Sequence, residues 1–596
     1  MKISKTKKTK LIRNISDMIK GNLIIALLIL FCLLPVNAQV NKQGTGLKRE
    51  ITLYNPYKPS LQDTKKRSYL PDMNDTVKVV PEFRYEVSTE PFMPEYTIKP
   101  IKAASLLPDP LPKLYKSYVN FGLGNYFSPL AEISITNDRS KKGTIGFYGR
   151  HFSTNGKVKL DNDEKVFAGY MDNDVSVFGR KFFKKSIFES SVDLTQKTRY
   201  AYGYDTSFVD YTPSKDDIRL GYINVGAKAS LSSVTLDPDD LTYDFDLFYN
   251  YFYHAKNLSQ NNVGFTGMMA KSFNGFNAGS AIGFDYYKPA DSIMTESKYV
   301  TSISPFFSKS TELWNFKLGF QALLDKNMTN SPKFHIYPDL EFGFNIVPSY
   351  INFFAGLSGK LEKNEPLKII SENPFLLPDS LFTLPNTDHE LIATAGIKGN
   401  SGMGGNYIIS VSYSLVSDML FYSNLILMNG TTPVETGNYF SPVTDDSEIL
   451  NFHGELSGAI TDKLSFNAAA NYNKYNMSLY PFAWNKPDWD AKIALKYNLR
   501  DKIIAGIDLT ALGKCQMLVN GDRWGALVTP LMPVNELVYS VEQPVHFNLN
   551  LSAEYRYSKI LSFWTKINNI SYNRYYEWAY YPSMRFLFMF GFTYSL

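Results

Sequence analysis

The sequence predicts an all-β protein: a transmembrane antiparallel β-barrel of about 22 strands, preceded by a Pro-rich irregular segment. Three observations carry this reading. From Lys116 to the end, stretch after stretch alternates apolar and polar residues, the period-2 signature of strands whose successive side chains point to opposite faces. Short polar turns alternate with long loops at successive junctions, a sorting that an outer-membrane barrel needs and a soluble sandwich does not. Beyond residue 38 no apolar run reaches the ~18 residues of a spanning helix, so strands must do any crossing.

The first element, residues 1–38, reads as an export signal. Lys2, Lys5, Lys7, Lys8, Lys10, Arg13 and Lys20 form a basic front, LIIALLILFCLLPV an apolar centre, and Val36-Asn37-Ala38 a small-residue cleavage site before Gln39. Cys32 follows Phe31, which does not suit lipoprotein processing. The whole chain carries a formal charge of +5, but the signal holds seven cations and one anion, so the mature chain sits near −1. Nothing in that balance points to nucleic acid. Cys515 is then the single remaining cysteine, which excludes an intrachain disulfide and any two-cysteine metal site.

Residues 39–115 form the second element. Ten of the 31 prolines lie here, in runs such as TEPFMPEYTIKPIKAASLLPDPLPKLY. Proline offers no amide donor and interrupts both helices and ladders, so the segment should be extended or irregular. Its aromatic and aliphatic residues suit docking. It is expected to lie on the periplasmic side and to occupy part of the lumen or its mouth, or to hold a periplasmic or lipoprotein partner as an extended chain.

The barrel, residues 116–596, is the third element. In VHFNLNLSAEYRY, Val545, Phe547, Leu549, Leu551, Ala553, Tyr555 and Tyr557 share one face, while His546, Asn548, Asn550, Ser552, Glu554 and Arg556 take the other. YDFDLFYNYFYH opposes Tyr243, Phe245, Leu247, Tyr249, Tyr251 and Tyr253 to Asp244, Asp246, Asn250 and His254. Tight turns are expected at RKFFKKSIF, LDPDDL, SFNGF, TDKL, NLRDK and YSKIL, and long loops near 154–172, 204–215, 363–388, 421–446 and 517–542. The chain closes on MRFLFMFGFTYSL, with Phe586, Phe588, Phe590, Phe592, Tyr594 and Leu596 on alternate positions. Hydrocarbon accepts no hydrogen bonds, so a ring with its apolar face outward is the form that places those aromatics in lipid. Aromatics make up 15% of the chain, with 41 Tyr and 42 Phe, as strands and membrane interfaces favour.

The last hairpin, TKINNISYNRYYEWAYYPSMRFLFMFGFTYSL, resembles the C-terminal hairpin of TonB-dependent receptors through Asn568, Asn569, Ile570, Tyr575, Tyr576, Pro582, Arg585 and Phe586. The resemblance implies an outer-membrane barrel of 22 strands, and an apolar last residue, Leu596, suits recognition by barrel-insertion machinery. Such receptors carry a folded plug longer than the 77 residues between Gln39 and Lys116, so no recognisable plug is expected. Asp75-Thr76-Val77-Lys78-Val79 is faintly similar to the short box that contacts TonB in that family. The N-terminal segment and RSKKGTIGFYGRHFSTNGK also resemble barrels of Bacteroidota.

No enzyme, cofactor or metal site is expected. His151, His254, His335, His389, His453 and His546 show no metal-binding spacing, and His254 and His546 read as polar wall residues of the lumen. GSAIG at 279–283 lacks the serine placement of a nucleophile elbow, GLSGK at 356–360 lacks phosphate-loop spacing, and Asp237, Asp239 and Asp240 of LDPDDL fit a turn better than a calcium loop. YNRYYEWAYY and YPFAWNKPDW could stack on sugars, but girdles at the membrane interface are the simpler reading. Two functions remain: a receptor-like transporter or pore for a solute in a Gram-negative outer membrane, or a scaffold subunit of an assembly or secretion complex there.

Overall fold

The computed structural model describes residues 115–596, apart from 138–139, 161–162, 204–213, 235–239, 291–296, 328–330, 378–383, 403, 430–431, 521–537 and 573. The signal, the Pro-rich segment through residue 114 and the stretch Asp75–Val79 lie outside the described residues.

Twenty-two antiparallel strands form one sheet, and it closes on itself. Each strand pairs with the next in chain order, and the first, Ser117–Gly124, pairs with the last, Leu587–Ser595, in the register Phe121↔Phe592. Closure leaves no strand edge with unpaired backbone groups, which is the condition for residing in hydrocarbon. The predicted strand number is met.

Period 2 now has a direction. Outward side chains are apolar around the ring and remain exposed to the surroundings of the protein, among them Val177, Leu247, Ile282, Phe284, Leu318, Phe320, Phe342, Phe452, Phe563 and Phe590. On the final strand Phe588, Phe590 and Phe592 point out while Met589 is buried inside. The expected start of that strand at Phe586 moves to Leu587.

Connection lengths separate the two ends. The rim that holds Ser117 and Ser595 carries the shorter connections, at most eight residues, such as Asn274–Gly275 and Arg500–Lys502, whereas the opposite rim carries the long ones, 155–169, 201–218, 363–386, 478–488, 513–545 and 569–586. We call these the terminal rim and the loop rim. One expectation is corrected. The stretch 421–446 is no open loop: strands Asn406–Asn429 and Thr432–Thr461 stay paired through it, with Phe421↔Val443 and Leu425↔Tyr439 in register, so the hairpin projects far past its neighbours. Alternation in this stretch is broken by bulges at Val416/Met419 and Leu425/Leu427, which hides the strands from a period-2 reading.

The closure is reinforced from within. Trp564 points into the lumen and donates its indole N–H to Asn120 Oδ1 at 2.7 Å; Asn120 donates to Glu132 at 2.8 Å, and Glu132 pairs with Arg150 at 3.2 Å. This chain of contacts crosses from strand Leu561–Asn568 over the seam to strand Gly143–Thr154. Gly122 makes room for the ring, since a Cβ there would lie 2.5 Å from Trp564 Cη2. Gly122→Val should therefore destabilise the barrel by about 1–3 kcal/mol through overpacking, and much less in a Trp564→Ala background; a double-mutant cycle of denaturant unfolding in lipid measures the coupling. For the exterior, Phe320→Arg at mid-strand should cost about 2–4 kcal/mol in bilayer-refolding titrations, while the lumen-facing Gln321→Arg beside it should cost little.

Candidate functional site: the capped lumen

Inward side chains give the lumen a polar wall of mixed sign. Arg150 sits between Glu132 and Asp174, the latter at 3.6 Å, and Arg199 pairs with Asp172 at 2.6 Å. Across the ring Lys317 meets Asp339 at 2.8 Å, and Asp388 is held by both His335 Nδ1 at 2.8 Å and the Tyr337 hydroxyl at 2.7 Å. Such a wall is compatible with water and with polar solutes.

Above it, the loops fold together. One apolar cluster unites Ala201, Ile218 and Leu220 with Ile369, Ile370, Phe375 and Leu376, with Tyr422, Tyr439 and Phe440 of the long hairpin, and with Met517 and Tyr581. These residues come from connections spaced around the ring. The 201–218 and 421–446 stretches stand on nearly opposite walls, so their joint burial bridges the mouth.

At the centre Phe375 stacks on Tyr581 with centroids 3.7 Å apart, and Tyr202 packs edge-on against Tyr581 at 5.0 Å. Phe440 exchanges backbone bonds with the 363–386 loop: its N–H donates to Phe375 C=O at 3.0 Å and its C=O accepts from Leu377 N–H at 3.1 Å. The Tyr422 hydroxyl donates to Glu372 at 3.0 Å. A fully buried aromatic cluster with paired backbone is a folded cap.

The 363–386 loop is fastened to the wall by charge as well. Lys363 binds Asp285, Asn262 donates to Glu365 at 3.4 Å, and Lys298 and Asn327 both donate to Leu384 C=O, at 3.2 and 2.7 Å. Asn386 donates to Asp325 at 3.0 Å, and Asn364 bonds Pro385 C=O and Thr387 Oγ1. The short helix Pro366–Glu372 starts after Glu365, with proline at its first turn where a missing N–H costs nothing. Burial raises the Glu365 carboxyl above the usual glutamate range, against the lowering influence of Lys363, Lys368 and Lys298. A buried polar network of this density stabilises one arrangement of the loop only while every partner is present.

The aromatic stretches take a different role from either sequence reading. Trp484 is buried with Phe421 and Leu518, Tyr581 is fully buried, and Trp578 packs on Tyr422 and Phe440. The loops use these three rings as their own core, while Phe482 and Tyr572 of the same stretches stay exposed. His254 faces the lumen, as expected, but is buried under the loops; His546 stacks on Tyr575 at 4.6 Å. GSAIG lies inside strand Phe276–Pro289 and GLSGK inside strand Ile351–Glu362, so neither forms an elbow or a phosphate loop. Asp237 and Asp239 lie outside the described residues, and Asp240 pairs with Lys185. No group of three or more potential metal ligands occurs among the described residues. Cys515 sits in the loop hairpin Cys515–Asn520/Val538–Gln543, and burial pushes its thiol up to about 11, which keeps it protonated and inert.

A closed 22-strand ring with an apolar exterior, a polar wall and loops folded over one mouth has the architecture of outer-membrane receptors and transporters. The chain is similar to the FrpB iron transporter of Neisseria meningitidis, with a TM-score of 0.60 at 10% identity over 82% of each chain. It is also similar to the pyoverdine receptor FpvA of Pseudomonas aeruginosa PAO1 (TM-score 0.56, 11% identity, 81% of this chain and 79% of that one). The siderophore receptor PiuA of Acinetobacter baumannii gives 0.55 at 12% identity, over 81% and 82%. At these identities the likeness establishes the fold. No family model and no curated protein sequence matches the chain.

Two outcomes check the cap. Tyr581→Ala should remove about 3–5 kcal/mol of local packing and accelerate hydrogen exchange at the Leu377 and Phe440 amides, leaving amides of the barrel wall such as those of Phe342 and Phe452 unchanged. The sign for Glu365 follows from its raised pKa. Between the ordinary glutamate value and the raised one, the closed loop holds a proton that an open, solvated loop releases, so closure weakens as pH rises through that window. Glu365→Gln should flatten this dependence and slow loop exchange at pH ~7.

Proposed function

We propose that this protein is a TonB-dependent-receptor-like transporter in the outer membrane of a Gram-negative bacterium, taking a solute through the lumen when the cap parts. The observation that carries the reading is the bridged cluster around Phe375, Phe440 and Tyr581: loops pack on one another across the mouth of a ring otherwise wide enough to pass solutes. A scaffold has no need of a polar lumen gated by a folded cap. In this orientation the terminal rim faces the periplasm and the loop rim the exterior, as short turns and long loops do in such barrels. The similar structures are described as an iron transporter, a pyoverdine receptor and a siderophore receptor, so chelated metals are the first solutes to test.

Conductance in planar bilayers tests the proposal. The Phe375→Ala/Tyr581→Ala variant should show openings more frequent or larger than the parent protein, and a candidate metal chelate should reduce them. A silent double variant that still shows heat-modifiable barrel migration would reject transport through this lumen and leave the scaffold reading.

A further inference from the structure

The turns of the terminal rim are unequal in charge. On five adjacent positions around the ring, spanning the seam, stand Lys463 beside Asp462, Arg500 and Lys502 beside Asp501, Lys559, Lys141 with Lys142, and Lys184 with Lys185, the last paired with Asp240 of the next turn, so cations outnumber acids along this arc. The opposite arc is made of Asn274-Gly275, 311–313, 348–350 and the glycine-rich 401–405, and its described residues hold one charge, Glu312. If these cations only met lipid headgroups, which surround a barrel evenly, a ring would serve better than an arc.

At the centre of the arc a cavity of about 830 Å³ opens at the mouth of the lumen, between Arg500, Lys559, Arg556, Glu554, Tyr118 and Ser562. That volume lies within the range of ligand pockets. Arg556, Glu554, Ser562 and Tyr118 lie on the inward face of their strands, where no bilayer lipid reaches. Arg556 is already bound to Glu554 at 3.2 Å, and Lys502 is committed to the carbonyls of Arg556 and Tyr557 at 3.3 Å each. Among the described residues, the Arg500 and Lys559 head groups form no ion pair.

The turn that presents Arg500 is built against its own backbone preference. Arg500 and Asp501 take φ of 52° and 56°, and Lys502 N–H donates to Leu499 C=O at 2.9 Å, the pattern of a turn that favours Asn-Gly. The same chain uses Asn274-Gly275 at the equivalent turn on the uncharged arc. Asn498 steadies the turn by donating to the Asp501 carboxylate at 2.7 Å and accepting its N–H at 2.9 Å. A disfavoured backbone that holds a guanidinium over a cavity points to a ligand for that guanidinium.

We propose that this cavity is a docking site for an acidic, extended peptide segment of a periplasmic partner, with carboxylates received by Arg500 and Lys559 and peptide groups by the rim hydroxyls and Glu554. Two carboxylates line the cavity, Glu554 paired with Arg556 and Asp501 bonded by Asn498; they disfavour a compact anion such as phosphate and suit an extended chain that brings N–H donors as well as carboxylates. The site rests on the orientation given above, not on passage through the lumen.

The test uses the full chain in detergent micelles and a fluorescein-labelled octaglutamate peptide. Anisotropy should report binding that weakens steeply as salt rises from about 0.05 to about 0.3 M, and octaglutamine should not bind. Arg500→Glu/Lys559→Glu should weaken binding by about tenfold or more, while Glu312→Gln on the other arc leaves it unchanged. An environment-sensitive dye on Ser558→Cys, in a Cys32→Ala/Cys515→Ala background, should shift on peptide addition. Equal binding to the charge-reversed variant, binding without a dye response, or displacement of the peptide by phosphatidylglycerol bicelles or by inorganic phosphate would each overturn the proposal. Because binding is read without ion flow, a silent result in the conductance experiment leaves this site standing, and a failure here leaves transport untouched.

Discussion

Everything in this structure depends on the backbone hydrogen bonds between strand Ser117–Gly124 and strand Leu587–Ser595. In water an open edge is tolerable; in hydrocarbon each unpaired amide costs several kcal/mol, by the order of magnitude of polar-group transfer. Residues nearly five hundred positions apart must therefore pair, and the chain-length entropy of doing so is recovered only once the whole ring exists. The seam contacts fit this requirement. Trp564, Asn120, Glu132 and Arg150 link four strands around the joint by side-chain bonds, and the strands leave glycine where the indole must lie.

Once the ring is closed, its two ends can specialise. Turns of a few residues at the terminal rim hold register tightly, and that stiffness lets a disfavoured turn such as Arg500-Asp501 present a charge at a chosen place. At the other rim long connections are free to find one another. They do so with the residues that bury most area per side chain, namely Phe375, Phe440, Trp484 and Tyr581. Apolar packing alone would let such a cap slide. The ion pairs and amide bonds at Lys363, Asn364, Lys298 and Asn386 give the 363–386 loop a definite seat on the wall.

For the proposed parting of the cap, this combination has a consequence. A cap held by aromatic burial and by a buried charged network is cooperative, since losing one anchor leaves its partner desolvated and unpaired. Opening is then a transition between two arrangements rather than a gradual loosening, and a ligand that competes for Asp285 or Glu365 would bias it. The raised pKa of Glu365 belongs to the same economy of burial: the loop holds its carboxyl in a place that favours the neutral form.

The barrel was legible in the amino-acid order because period 2 and turn residues are local, and because lipid demands an apolar face on every strand from Phe121 to Phe590. The strand number and the unequal rims followed from the same short-range signals. The cap was not legible. Whether Trp578 or Tyr581 meets a sugar, a membrane interface or another loop depends on contacts between segments hundreds of residues apart, and no local pattern distinguishes these. The 421–446 hairpin was hidden for a related reason, since bulges break its alternation while partner strands keep it paired. The arc of cations shows the same division. Lys141, Lys184, Arg500 and Lys559 are each ordinary turn residues in sequence, and only closure of the ring brings them to one side of one mouth.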